Sequence, residues 1–236
     1  MQQQTRSWLL LPLLALTACG TGRSADVKQS TIEQSYEVTY DEGSSQLKAS
    51  ASFHYEDNLG TSLKLTDGST ITFNSTPMKY SNVLNSASYN LEMPMTRTPN
   101  MPLEFRYVNN DGEVFVTEAK VPAPTSIKVP SEGTALRGDR ELTVLMEGEP
   151  LFGEDEITLC LNYEPTVIST ADPSVKECLY TKESLRLVFS REQLARFPRG
   201  KELTLEIKRE SHPRQDNSRI RLEESFLSRP HFISLQ

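Results

Sequence analysis

Apolar and polar residues alternate with period two along most of this chain. "YEVTY" sets Tyr36, Val38 and Tyr40 on one face, and "LKASASFHY" does the same for Leu47, Ala49, Ala51, Phe53 and Tyr55. That alternation is the mark of half-buried strands. "SLKLTDGSTITF" predicts a hairpin around the loop Thr66-Asp67-Gly68, with Leu63 opposite Ile71 and Thr61 opposite Phe73. A tighter turn at Asp67-Gly68 would set Leu63 against Thr72 and bury mismatched faces. "LEFRYVNNDGEVFVTEA" predicts a second hairpin turning at Asn110-Asp111-Gly112.

The pattern then breaks and resumes. "AKVPAPTSIKVPSEG" carries Pro122, Pro124 and Pro130. Proline lacks the N–H that a sheet ladder needs and fixes the backbone, so no central strand belongs there. Pro122 and Pro124 therefore end one unit, and Thr125 to Val129 open the next as an edge strand. Beyond it lie seven short alternating runs: "ELTVLM", "EITLCLN", "ECLY", "SLRLVF", "ELTLEIK", "SRIRL" and "HFISL". One helical turn interrupts them. Ser190 can cap it, Gln193 occupies the capping-box position, Leu194 faces inward and Phe197-Pro198 stops it.

Many short strands separated by turns describe an all-β chain built of β-sandwiches. The order of strand, short helical crossover, Gly200 and strand resembles the E-to-F connection of immunoglobulin-like domains. That resemblance implies two tandem immunoglobulin-like β-sandwich domains, 32–122 and 123–236. The sequence has neither a Cys…Trp…Cys core nor a tyrosine corner, and its single tryptophan, Trp8, lies near the N-terminus.

The N-terminus follows a different rule. Trp8 to Leu16 form an apolar run interrupted only by Pro12, behind the single basic residue Arg6. Such a run is far short of the roughly 20 residues that span a bilayer, and right for a secretory leader of about 7–15. Leu16-Thr17-Ala18-Cys19 then resembles a bacterial lipobox. The resemblance implies a signal peptide over 1–18 that is cleaved before Cys19. The cysteine would be modified with diacylglyceryl and N-acyl (palmitate-type) chains, giving a lipoprotein of the cell envelope. An ordinary signal peptide with an incidental cysteine, or a buried helix, is the plainer alternative. Two or more chains suffice for stable attachment. Gly20, where an aspartate would favour the inner membrane, points to the outer membrane if the cell has one, on its periplasmic or surface face. Residues 19–31 read as a lipidated cysteine and flexible tether, about 20 Å in span for a coil of about 12 residues.

Charge narrows the partners. The sequence has 25 basic and 32 acidic residues, net −7, and loss of Arg6 with the leader makes it −8. A net negative field opposes nucleic acid and anionic headgroups, so no nucleic-acid partner is expected. Of the three cysteines, Cys160 and Cys178 remain after Cys19. In an oxidising compartment an even remainder reads as a disulfide, and closing about 18 residues stabilises by about 3 kcal/mol. Two buried thiols or half of a metal site are the other readings.

Candidate chemistry is sparse. His54, His212 and His231 stand far apart in sequence, so no metal site and no cofactor is expected. Ser45-Gln-Leu-Lys48 matches the S-x-x-K of penicillin-binding enzymes in letters but enters a strand, and no catalytic residue is assigned. The loop "EGEPLFGEDE" gathers Glu147, Glu149, Glu154, Asp155 and Glu156 without a calcium-loop frame, and reads as a solvated loop or an ion site. Between Arg186 and Arg221 lie ten basic residues against five acidic ones. Within that basic 186–221 face, Arg209, Arg214 and Arg219 are the candidates for an anionic ligand. Three function classes follow. The first is a membrane-anchored, non-enzymatic envelope lipoprotein that engages another envelope protein, held to the membrane by lipid on Cys19. The others are a binding module for anionic glycan or lipid, and an enzyme of unrecognised type.

Overall fold

The computed structural model describes residues 21–57, 60–95, 103–165 and 173–236. Among them the chain is almost entirely β. Its helical content is the turn Arg191–Leu194 and two short 3-10 turns, Ser24–Asp26 and Gln29–Thr31. No described helix is long and apolar enough to cross a membrane.

The first core lies between two sheets. One contains the antiparallel strands Ile32–Asp41, Gln46–Tyr55, Ser86–Pro94 and Lys79–Val83, in that spatial order. The other contains Val114–Ala119, Leu103–Val108, Thr70–Phe73 and Thr76–Pro77. Alternation places Tyr36, Val38 and Tyr40 inward beside Leu47, Ala49, Ala51 and Phe53. Aromatic rings fill the gap: Tyr36 stacks on Phe105 with centroids 4.6 Å apart, and Phe53 meets Tyr107 at the same separation. The hairpin at Asn110 forms, with Val108 opposite Val114 and the Asn109 side-chain oxygen accepting the N–H groups of Asp111 and Glu113.

Two expectations are corrected here. Leu63 and Ile71 do not pair. The turn at Asp67-Gly68 exists, with both residues at positive φ, but Leu63–Lys64 pairs with Gly22–Arg23 while Thr70–Phe73 pairs with Leu103–Val108. Leu63, Leu65, Ile71 and Phe73 are all buried, so the turn carries the chain across the core to the other sheet. The Leu65 N–H, left without a ladder, donates to Tyr89 Oη at 2.7 Å.

The expected flexible tether is likewise packed from Thr21 onward. Gly22 N–H donates to Ser62 O, and buried Ser24 accepts from Thr66 N–H at 3.0 Å. Gln29 bonds to Ser24 O and accepts from Asn110 N–H. Gly22 permits this closeness, since a Cβ there would lie 3.1 Å from Leu63 Cδ2. Polar composition suggested a coil, but these polar groups satisfy backbone donors and acceptors of the first core.

The second core also lies between two sheets. Thr125–Val129, Leu142–Gly148 and Arg186–Phe189 form one, with Thr125–Val129 at its edge. Thr134–Leu136, His231–Leu235, Glu202–Ser211, Glu156–Tyr163 and Val175–Thr181 form the other. The turn Arg191–Leu194 crosses between them with its capping box intact, Ser190 and Gln193 bonding reciprocally. Cys160 and Cys178 face each other across neighbouring strands and are joined by a disulfide.

One strand stitches the halves together. Ile220–Leu227 pairs antiparallel with the end of Glu202–Ser211 on one side, and parallel with Ile32–Asp41 on the other. Its inward residues Leu222 and Phe226 belong to the first core, although they come from the 123–236 range. Ser228 makes the corner, donating its N–H to Ile207 O and accepting Ile207 N–H on its hydroxyl. The chain then returns through His231–Leu235 to the second core. A single sheet therefore runs through both halves.

Candidate functional site

The alternation that sends Tyr36 and Leu222 inward sends Ser35, Glu37, Arg221 and Glu223 to the outer face of the shared sheet. Ser50 and Ser52 join them from the next strand, and His212 from the loop after Ser211. Register fixes the neighbours. Ser35 stands opposite Ser52 and Arg221, while Glu37 stands opposite Ser50 and Glu223. Together they line a pocket of about 380 Å³, within the usual size for a small-ligand site. Its chemistry is hydroxyls, two carboxylates, a guanidinium and an imidazole. Such a lining can bond a polyhydroxylated ligand but offers little apolar wall.

Neighbouring polar contacts brace this face. Thr39 and Ser225 hydroxyls lie 2.8 Å apart, and Lys208 Nζ reaches Glu210 at 2.6 Å and Glu223 at 3.4 Å. Burial works against the Lys208 charge, but the hydrogen bonds and charges of Glu210 and Glu223 outweigh it and hold the amine above the usual lysine range. Part of Glu223 is thereby committed before any ligand arrives.

The three arginines expected to share an anionic-ligand face differ in burial and in partners. Arg209 is only 2% exposed. Its guanidinium donates to Asp155 Oδ2 at 2.6 Å and to the carbonyls of Glu149 and Pro150 at 3.0 Å. An arginine held this way serves the fold, and it is withdrawn from the ligand face. Arg214 is exposed and lies 3.6 Å from Glu154, and Arg219 is half-buried at the start of the stitching strand. The basic residue that reaches the pocket is Arg221.

The acidic loop 147–156 is largely partnered. Asp155 meets Arg209, Glu154 meets Arg214, Glu156 meets Lys182 and Glu147 meets Lys128. His231 bonds to Pro130 O at 2.9 Å, whereas His54 lies on the strand Gln46–Tyr55 and His212 at the pocket. Among the described residues no three His, Cys, Asp or Glu side chains converge as metal ligands. Cys19 lies outside the described residues.

Glu224 escaped the sequence reading. It is buried on the inward face between Leu222 and Phe226, and accepts the Lys120 backbone N–H at 2.6 Å. Burial, supplemented by Asp155, pushes its carboxyl up to about 7 against the pull of Lys120. The signal was present in "RLEESF", where an acid shares the parity of two apolar residues.

No family model and no curated protein matches this chain. Among solved structures it is similar to fibronectin(III)-like modules of Clostridium thermocellum CbhA, at 9% identity and a TM-score of 0.26, covering 84% of this chain and 89% of that one. It is also similar to the IG1+IG2 pair of DIP-gamma, at 12% identity and a TM-score of 0.23, covering 86% and 95%. A complex of Dpr11 IG1 with DIP-gamma IG+IG2 matches at 9% identity and a TM-score of 0.23, covering 86% and 98%. Scores this low carry no weight for function.

Proposed function

We propose that this chain is a lipid-anchored, non-enzymatic protein of the bacterial envelope that presents a two-core β scaffold to another envelope protein. Residues 1–18 are its signal peptide, Cys19 its lipid attachment point, and 32–122 and 123–236 its two units, sharing the strand Ile220–Leu227. The observation that carries this reading is the lipobox-like Leu16-Thr17-Ala18-Cys19 leading straight into a segment packed on the first core from Thr21. An anchor so close to the folded body fixes the body at the lipid surface. The shared sheet then holds the second core in a set relation to the first, as a scaffold requires. The outer membrane is the expected destination because Gly20 follows the cysteine.

Cys19→Ala, radioactive fatty-acid labelling and envelope fractionation test the anchor. Loss of label and release from the membrane are expected, and label retained by the variant would overturn it. Affinity purification from detergent-solubilised membranes should recover an envelope protein in stoichiometric amount. Recovery of the chain alone would count against the scaffold role.

A second reading is a glycan site at the pocket of Ser35, Ser50, Ser52, His212 and Arg221. Glu37 and Glu223 oppose a purely anionic ligand there, whereas the hydroxyls suit a sugar. Arg221→Glu should abolish glycan retention in that case, and an unchanged glycan-array profile would remove the site.

A further inference from the structure

Thr21 is held against the tip of the hairpin made by Lys79–Val83 and Ser86–Pro94. Its hydroxyl donates to Asn85 O at 3.3 Å and accepts from Asn82 Nδ2 at 3.3 Å. Val83 pairs with Ser86, leaving the two-residue turn Leu84-Asn85 with φ of 51° and 65°. Such a turn selects Asn, Asp or Gly, because a larger side chain is disfavoured where φ is positive. Leu84 nevertheless stands there, 96% exposed, beside Val83 at 65%. The position is unfavourable twice, in backbone conformation and in apolar surface left in water. An outlier of that kind points to a use outside the folded body.

We infer that the Val83-Leu84 tip inserts into the lipid leaflet that receives the acyl chains of Cys19, seating the first core directly on the bilayer. This rests on the lipid-anchor reading above. Cys19 precedes Thr21 by two positions, and two residues reach at most about 7 Å. An acylated Cys19 therefore brings the hairpin tip to the headgroups whatever else the protein binds.

The flanking chemistry suits that depth. Behind the tip on the same strand is Tyr80, with Lys64 Nζ 5.0 Å over its ring and exposed Lys79 beside it. An apolar point backed by tyrosine and by lysines that can reach upward is the order of groups found at a membrane interface. Asp67, in the turn that follows Leu65, is paired with Arg23 at 2.8 Å. Sheet order completes the argument. Lys79–Val83 is the outermost strand on the side away from the second core. Four strand spacings, roughly 19 Å, separate it from Ile220–Leu227. Lipid contact at this edge leaves the second core clear of the membrane.

The mature protein offers a clean probe, since its only tryptophan, Trp8, leaves with the leader. Leu84→Trp and, on ordinary strand backbone, Val83→Trp place a single reporter at the tip. Phe152→Trp is the solvent-exposed control in the second half. The acylated proteins are reconstituted in vesicles of phosphatidylethanolamine and phosphatidylglycerol. At an insertion depth of about 5–10 Å, tip emission should shift to the blue and lose about half its intensity to lipids brominated on their acyl chains. The Phe152→Trp protein should show neither effect. Tip emission like that control, in a protein that still carries fatty acid and floats with vesicles, overturns the insertion and leaves the anchor standing. Absence of fatty acid and of flotation overturns both. A blue shift without vesicles that grows with protein concentration assigns the tip to a second copy instead, and also overturns the insertion. Leu84→Asn suits the turn better and should keep or raise the melting temperature. A marked fall would show that Leu84 serves the fold.

Discussion

Arg209 Nη2 donates to Asp155 Oδ2 at 2.6 Å, joining the strand Glu202–Ser211 to the loop after Gly148 where both side chains are largely withdrawn from water. Removing either partner leaves a buried charge without its counter-ion, a loss of about 3–5 kcal/mol. Arg209→Met should therefore lower the urea midpoint sharply, and it also strands the carbonyls of Glu149 and Pro150. The double variant Arg209→Met/Asp155→Leu should recover part of the loss. A single variant as stable as the parent would mean that the pair is solvated.

Glu224 gives the protein a pH dependence of definite sign. Its carboxyl titrates near 7 in the folded state, against 4.5 for an ordinary glutamate, chiefly because it is buried. Between those values the unfolded chain has released the proton that the folded chain still holds. Stability from this group is therefore highest at acid pH, falls as pH rises through the window, and levels off above about 7. The loss should be about 1–2 kcal/mol once solvent screening is allowed for. Glu224→Gln keeps an acceptor for the Lys120 N–H and should flatten the profile between pH 4.5 and 8 in urea titrations. An unchanged slope would place the titration elsewhere.

Period two had already marked both of these residues. Arg209 shares parity with Leu203, Leu205 and Ile207, and Glu224 shares it with Leu222 and Phe226, so each lies on the buried side of its strand. Net charge along 186–221 carries no information on that parity, so it does not distinguish the buried Arg209 from Arg214 and Arg219. Strands and turns were legible because each depends on neighbours in sequence: the Asn110 hairpin, the capped turn at Ser190 and the edge strand at Thr125 all form. Long-range pairing was not. Nothing local says that Leu63 will leave Ile71 for Gly22, or that Ile220–Leu227 will run parallel to Ile32–Asp41. The pocket depends on that second pairing, since Arg221 and Glu223 meet Ser35 and Glu37 only through it.

The Cys160–Cys178 bridge closes 18 positions across adjacent strands of the second core. By the chain-entropy account it contributes about 3 kcal/mol. Reduction, or the double change to alanine, should lower the melting temperature by several degrees. Thiol titration of the denatured, unreduced mature protein should find neither cysteine reactive. Two reactive thiols would show that the bridge is not made in the cell.

The stitching strand leads to the last prediction, that the first core cannot stand without the second half of the chain. Phe226 packs beside Tyr40, ring centroids 6.3 Å apart, and Leu222 is buried in the same cluster. Truncating a buried phenylalanine to alanine costs about 3–5 kcal/mol. Phe226→Ala should therefore speed amide exchange in residues 34–40 and 47–53, far away in sequence. Val144→Ala, within the second core, should act first on its own sheets. A fragment ending at Pro122 lacks this strand altogether. It leaves the Gln34 and Glu42 N–H groups without the Arg219 and Leu227 carbonyls that accept them. Such an open edge invites pairing with other chains. The fragment should aggregate or exchange freely, and a synthetic peptide spanning 218–229 should restore protection to Ile32–Asp41. A fragment that folds alone to full protection would show that the strand decorates the first core without completing it.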